Sequence, residues 1–399
     1  MAKGTGVIAN VSPADRKSAI RFILCMGLVS LFADMTYEGA HGTIGPLMTN
    51  LGASVTAVAI IAGLGEMVAA GLRFFTGRLA DRTRAYWTLA IAGYVINLLA
   101  IPLLAFVATW QQAAVLITIE RTGKAIRGPA RDLLLSEATG KVGHGFGFGV
   151  HTVMDQTGAC AGPLLMAVIA ARTGHLSTAF AWLAVPAALA LLSIILARAV
   201  RPVRVEPPVQ KDPPPMPDVF WPYITAAGLL AFGFVDFPVL GAHFEKNHIF
   251  ASATIPLLYS LAMAMTGLTA FIFGRLFDRY GIAVLSYGIV ISMLALPFGF
   301  LGGATGAIIA VLCWATGLGV QDATLRAGIA QVISMNKRGT AFGTFNGVYG
   351  VSWFLGSAII GVLYGYSIAA VVAFGVVAQL AAAVMFFRLR KSLAEAITT

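Results

Sequence analysis

Charge is scarce in this sequence. Only 11% of its 399 residues are charged, and the acids are outnumbered, 17 against 27 lysines and arginines. A soluble chain of this length could not clothe its surface with so few ionic groups, which excludes an ordinary water-soluble domain. Cysteine is nearly missing as well. Cys25, Cys160 and Cys313 are odd in number and each sits in an apolar segment, so a disulfide frame and a cysteine metal cage are both excluded. They read instead as small buried hydrophobes. A phosphate-cradling G-x4-G-K-[ST] loop is lacking too, since GKAIRGPAR at 123–131 has the wrong spacing. No nucleophile–base constellation is legible. The expectation is a protein that is not an enzyme, with no cofactor and no bound metal.

Apolar length is what the sequence has in abundance, with 58% of residues hydrophobic. The run YWTLAIAGYVINLLAIPLLAFVA at 86–108 exceeds the roughly 20 residues that cross a bilayer core. In lipid the backbone must satisfy its own hydrogen bonds, so repeated runs of this kind mean helices. The periodicity predicts twelve spans: 19–43, 54–76, 85–107, 110–130, 144–170, 176–199, 219–244, 252–273, 281–302, 305–330, 340–364 and 366–389. The first 18 residues are polar and continue into the first span, so no cleavable signal peptide is expected.

The formal charge of +10 is topological. Basic residues cluster on alternate loops, such as Arg16, Lys17 and Arg21 before the first span and Arg198, Arg201 and Arg204 after the sixth. Arg172 and Lys246 stand on the other side. This positive-inside pattern predicts an even number of spans with both termini cytoplasmic, and calls for the lipid bilayer rather than nucleic acid as partner. Prolines and charges mark a linker at 201–218. The expected organisation is a cytoplasmic segment 1–18, a bundle 19–200, the linker, a bundle 219–390 and a tail 391–399. The expected fold class is an all-α membrane protein of twelve transmembrane helices in two six-helix bundles, and the expected residence is a bacterial-type inner (plasma) membrane.

The two bundles are expected to be pseudo-symmetric, because they share a pattern. GRLADRTR (77–84) returns as GRLFDRYG (274–281), Thr122-Gly123 as Thr316-Gly317, and Phe146-Gly147 as Phe342-Gly343, at offsets between 194 and 202 residues in one order. Matches in one consistent order indicate internal duplication. The frame D-x4-G-A-H repeats with them: Asp34 to His41 in DMTYEGAH, and Asp236 to His243 in DFPVLGAH.

GRLADRTR resembles the G-x-x-x-D-R-x-G-[RK] loop of the major facilitator superfamily. Gly77, Asp81 and Arg82 match while Thr83 and Arg84 depart from the family order; Gly274, Asp278, Arg279 and Gly281 match in the copy. The resemblance implies that Gly77, Arg78, Asp81, Arg82, Gly274, Asp278 and Arg279 gate the cytoplasmic end, with Arg131 and Asp132 as partners across it. Arg121, in LITIERTGKAIRG, resembles the arginine of drug:proton antiporters in that superfamily, although Lys124 and Ala125 replace the usual Gln and Gly. Gly149, Gly158 and Gly162-Pro163 match an antiporter-like G-x8-G-x3-G-P stripe in the fifth span, with Met166-Ala167 where Gly-Gly usually follows. Such a stripe lets helices approach, and Pro163 is expected to bend the span.

Ionisable groups inside spans are functional candidates by default. Asp34, Glu38 and His41 are spaced by four and three, which places them on one face of the first helix. The resemblance implies that helices 1, 4, 7 and 10 face a central cavity. A carboxyl deprived of water holds its proton more firmly and a neighbouring arginine loosens it, as a proton-coupled carrier requires. Asp34 opposite Arg121 is therefore the expected coupling pair, with Glu38 and Glu66 joining it. Tyr37, His41, Glu120, His151, Asp155, Asp236, His243, Asn346 and Trp353 are expected at the substrate cavity.

The reading is a monomeric secondary transporter that moves a small molecule by alternating access, as proton-coupled efflux of a small organic compound. Two alternatives stay open. One is a divalent metal carrier in which Asp34, Glu38, His41, Asp236 and His243 converge; the other is uptake of an organic anion neutralised by Arg121 and Lys124.

Overall fold

The computed structural model describes residues 13–200, 216–333 and 338–398. The expected segment 1–18 and linker 201–218 therefore lie mostly outside the described residues. Within them the chain is a succession of helices. α1 (Pro13–Asn50), α2 (Val55–Thr83), α3 (Tyr86–Leu103), α4 (Trp110–Gly140), α5 (His144–Thr173), α6 (Leu176–Trp182) and α7 (Ala184–Val200) precede the linker. After it come α8 (Phe220–Gly233), α9 (Phe237–Lys246), α10 (Ile255–Tyr280), α11 (Ala283–Met293), α12 (Ala295–Leu301), α13 (Gly303–Val332), α14 (Arg338–Tyr366) and α15 (Ile368–Thr398). The predicted spans map onto these in order. Three of them, the sixth, seventh and ninth, are each interrupted into two helices.

Among the described residues, 11 helical stretches are long and apolar enough to cross a membrane. α4 is not one of them, because its middle and following turns carry Glu120, Arg121, Lys124, Arg127, Arg131 and Asp132. It is nonetheless a continuous 31-residue helix, started by a capping box in which Thr109 and Gln112 satisfy one another's backbone donors.

Helices before the linker pack mainly on one another: α1 along α5, α7 and α4, and α4 along α2 and α3. Those after it do likewise, α10 with α13, α8 with α14 and α15, and α11 with α15 and α13. The two groups meet where α2 lies along α14, α5 along α10, and α1 against α9. Small residues make these contacts close. A Cβ on Gly45 of α1 would overlap the Pro238 carbonyl oxygen of α9, and one on Gly343 of α14 would come within 2.6 Å of the Phe74 ring of α2. Side chains bridge them as well, with Thr56 Oγ1 donating to the Gly361 carbonyl at 2.6 Å and Ser260 Oγ to the Cys160 carbonyl at 2.8 Å.

Gly158 and Gly162 of α5 form the expected smooth stripe. A Cβ on either would overlap the carbonyl oxygen of Leu31 or Met35 on α1. Gly149 is not part of it, since a Cβ there meets nothing within 4 Å. Pro163 sits inside a helix that runs on to Thr173 without interruption. The three cysteines are free thiols and only partly buried, so they are less enclosed than the sequence implied.

Arg84 ends α2 in the left-handed conformation, φ 54° and ψ 17°, at the place where Gly281 (φ 66°) ends α10 in the duplicated segment. A side chain in that region costs roughly 1–2 kcal/mol that glycine does not. Arg84→Gly is therefore expected to raise the thermal midpoint of the purified protein. Gly158→Leu is expected to lower it, overpacking costing about 1–3 kcal/mol, whereas Gly149→Ala leaves it unchanged. Melting of the three variants in one detergent, followed by size-exclusion recovery, checks all of these.

Candidate functional site

Between the two groups of helices lies a cavity of about 280 Å³. Midway along the helices it is walled by Glu38 and His41 of α1, Glu66 of α2, Arg121 and Lys124 of α4, Asp236, Tyr259 of α10 and Trp314 of α13. Toward the end where the linker leaves, its walls are Arg73, Asp322, Arg326 and Phe345.

Arg121 organises the wall nearest α1, α2 and α4. Its Nη1 is 3.0 Å from Glu66 Oε1, its Nε 3.3 Å from Glu120 Oε2, and its Nη2 2.7 Å from His41 Nδ1. A guanidinium only donates, so His41 accepts through Nδ1 and carries its proton on Nε2. Glu120 is buried and takes a second hydrogen bond from Asn97 Nδ2 at 2.7 Å. It is thus a support behind Arg121 and stands outside the cavity lining, where the sequence had placed it. Glu38, one turn before His41, is held by Tyr259 Oη at 2.6 Å and by Lys124 Nζ at 3.8 Å. Lys124 also rides over the Tyr37 ring at 4.0 Å, so Tyr37 lies beneath the wall and does not line the cavity.

The opposite wall depends on a broken helix. α8 stops at Gly233 and α9 starts at Phe237, leaving Phe234, Val235 and Asp236 extended in the buried interior. Polar side chains meet the freed backbone there. Gln379 Nε2 donates to the Gly233 carbonyl at 3.0 Å and Trp314 Nε1 to that of Val235 at 2.8 Å. Irregular backbone at membrane depth is tolerated where it is buried in protein or borders a cavity. Asp236 Oδ2 accepts from Trp353 Nε1 at 2.8 Å and Ser357 Oγ at 3.1 Å, both on α14. Trp353 and Asn346 line the cavity as expected from the sequence.

Several expected placements differ. Asp34 does not face Arg121: it is 2% exposed, stands outside the cavity lining, and lies against Asp155 of α5. The cause is position along the axis. Asp34 is seven residues, about 10 Å, before His41, in the stretch that the α5 glycines cover. Asp155 accordingly belongs to the α1–α5 contact through Ser30, and neither it nor His151 lines the cavity. His243 is also remote from it. The break before Asp236 starts α9 at the cavity, and His243 ends two turns farther on, with Nδ1 2.7 Å from Tyr364 Oη and its ring against Phe300. Asp34, Glu38, His41, Asp236 and His243 therefore do not converge, and among the described residues no group of three or more His, Cys, Asp or Glu side chains could hold a metal ion.

At the linker end, Arg131 pairs with its neighbour Asp132 at 2.8 Å. Arg78 stacks on the Phe74 ring at 3.8 Å and Arg279 on Tyr280 at 5.2 Å. Arg82 and Asp278 are exposed, Gly77 and Gly274 stand at ordinary contact distance from Pro129 and Ala323, and the Asp81 side chain lies outside the described residues.

Sequence reasoning missed Arg73, Asp322 and Arg326, although charge inside an apolar run marked them as plainly as it marked Glu66. It also missed Tyr259 and Gln321. Tyr259 is indistinguishable in sequence from a packing aromatic, and a lone amide in an apolar run gives little signal.

A polar, aromatic-walled chamber between two groups of membrane-length helices defines a polytopic carrier. The profile described as Major Facilitator Superfamily matches residues 26–357. An uncharacterized protein of Mycobacterium tuberculosis is 39% identical, covering 94% of each chain. An uncharacterized MFS-type transporter of Methanocaldococcus jannaschii is 29% identical over 143 residues, 36% of each chain. Among solved structures, a mutant form of the nucleoside transporter NupG superposes with a TM-score of 0.69 at 13% identity, covering 94% of this chain and 99% of that one. A bacterial homolog to the human lysosomal transporter Spinster, inward-facing and unoccupied, gives 0.66 at 13%, covering 96% and 99%. At such identity the likeness is one of fold. The chain belongs to the major facilitator superfamily; it is an integral membrane protein and a secondary transporter of small molecules, not an enzyme.

Removing the Arg121 side chain would strand the buried Glu120 carboxylate. Breaking a buried pair from one side costs about 3–5 kcal/mol. Arg121→Ala is expected to lower the thermal midpoint more than Lys124→Met does, since Lys124 is the more loosely held cation; equal drops would refute the hub role given to Arg121.

Proposed function

We propose that the protein exports a small organic compound in exchange for protons, by alternating access, as a monomer in a bacterial-type inner membrane. In this reading α4 is the twelfth span, its charges turned to partners inside the protein, and two six-helix bundles joined by the 201–218 linker rock about the cavity with both termini in the cytoplasm. The observation that carries it is Arg121, held at the cavity wall by Glu66, Glu120 and His41. Glu66 is the exchangeable partner, its side chain 31% exposed against 4% for Glu120. A proton on Glu66 cancels its attraction for Arg121, and loss of that proton restores it. Glu38, between Lys124 and Tyr259, offers a second carboxylate of this kind. Substrate then meets a wall whose charge depends on proton occupancy. The loops around Gly77, Arg78, Asp81 and Arg82 and around Gly274, Asp278 and Arg279 act at the cytoplasmic gate, with Arg131 and Asp132 beside them.

A second reading, carriage of an organic anion, draws on two buried donors of cavity residues without an acceptor, Arg73 Nε and Gln321 Nε2. Proteoliposomes holding a pH-sensitive dye separate the two when challenged with a panel of lipophilic cations, neutral aromatics and carboxylates. The exporter reading expects protons to move opposite to a transported compound, and Glu66→Gln and Arg121→Ala to abolish that movement. Accumulation of a labelled carboxylate that persists without a proton gradient would favour the anion reading. Transport of a compound with no pH change would refute proton exchange.

A further inference from the structure

Asp34 and Asp155 make a site of their own outside the cavity. Asp34 of α1 is 2% exposed, Asp155 of α5 is partly buried, and their carboxyls stand against one another. Ser30, one turn before Asp34, donates its hydroxyl to Asp155 Oδ1. Ionised carboxylates only accept hydrogen bonds, so two carboxyl groups so placed can bond to one another only when one of them carries a proton. Like charges in contact away from water cannot both ionise, which is why paired carboxyls share a single proton.

Two atoms here lack partners and point to that ligand. Asp34 Oδ1 is buried without a donor, and so is Nε2 of His151, a residue 7% exposed and one turn before Asp155 on α5. Charged groups face the pair from several helices. Arg127 of α4 acts on Asp34, Arg131 of α4 acts on Asp155 and His151, Glu38 acts from α1, and Asp322 acts from α13. Arg127 lies over the Tyr94 ring at 4.4 Å with its Nε unpartnered, and Arg131 holds Asp132. Among the described residues no ion pair joins either arginine to the two carboxyls, and a proton on one carboxyl relieves the repulsion between the two.

We propose that Asp34 and Asp155 bind one proton between them at neutral pH, at a site separate from the substrate cavity. Its role in coupling rests on the proton-exchange reading above; its existence does not. The proton comes from water and returns to water, leaving Asp34 and Asp155 as two carboxylates when it departs. His151 Nε2, buried without a partner, lies one turn from Asp155 toward the linker end of α5. Loss of the proton sets two negative charges against each other where α1 and α5 touch backbone to backbone, at Leu31–Gly158 and Met35–Gly162. α1 carries that strain to Glu38 and His41, one and two turns farther along at the cavity wall. Proton and substrate need not compete for the same atoms.

Infrared difference spectra of the full-length protein in lipid, between neutral and alkaline pH, test the site without any substrate. The wild type is expected to show a carboxylic-acid C=O band at neutral pH that is lost at alkaline pH and shifts in heavy water. Asp34→Asn and Asp155→Asn should each displace or remove it, the double variant should remove it entirely, and Glu66→Gln should leave it in place. Should the double variant not fold, the two single variants decide. No band in the wild type at neutral pH, or a band unchanged by either single variant, overturns the proposal. If the band behaves as expected but Asp155→Asn keeps full proton counter-flow in dye-loaded vesicles, the shared proton stands and the coupling role assigned to it is wrong.

Discussion

A guanidinium kept from water must be surrounded by acceptors, and Arg121 imposes that condition on three helices at once. Its partners come from α1, α2 and α4, so those helices are held in register by one side chain. Asn97 extends the arrangement to α3 by holding Glu120. Such a network is a weak source of net stability, because desolvation of the charges offsets much of their attraction. What it supplies is sensitivity, since altering the charge of one member alters the requirements of the others. A transporter can use that property where an apolar core could not.

The second group of helices meets the same chamber by a different device. Instead of a buried cation it interrupts a helix; Trp314 and Gln379 donate to the carbonyls this frees, and Trp353 and Ser357 hold the Asp236 carboxylate. Duplicated sequence has thus become unequal structure. In the first copy of D-x4-G-A-H the helix is continuous, the aspartate is covered by α5, and the histidine reaches the cavity. In the second the helix restarts at the aspartate, which reaches the cavity, and the histidine is carried away to Tyr364. A shared pattern of residues set only their spacing along the axis.

Asymmetry also separates two kinds of acid in the first group. Glu38 and Glu66 touch cavity space and pair with cations, whereas Asp34 and Asp155 touch each other at a contact that glycine makes close. The glycines matter for that reason: with side chains at 158 and 162, α1 and α5 would stand too far apart for their carboxyls to meet.

Membrane class, the all-helical fold and the superfamily were legible in the sequence, because apolar run length and motif residues are properties of the chain read in one dimension. Arg121, Glu38, Glu66 and Asp236 stood out there as well, since charge within an apolar run is costly wherever the run packs, and all four line the cavity. The partners of those charges were not legible. Whether Asp34 met Arg121 or Asp155 depended on where α5 crosses α1, and whether His243 reached the cavity depended on a three-residue break before α9. Both are decided by contacts between segments more than a hundred residues apart, and helical periodicity gives an angle around an axis without saying which neighbour lies there.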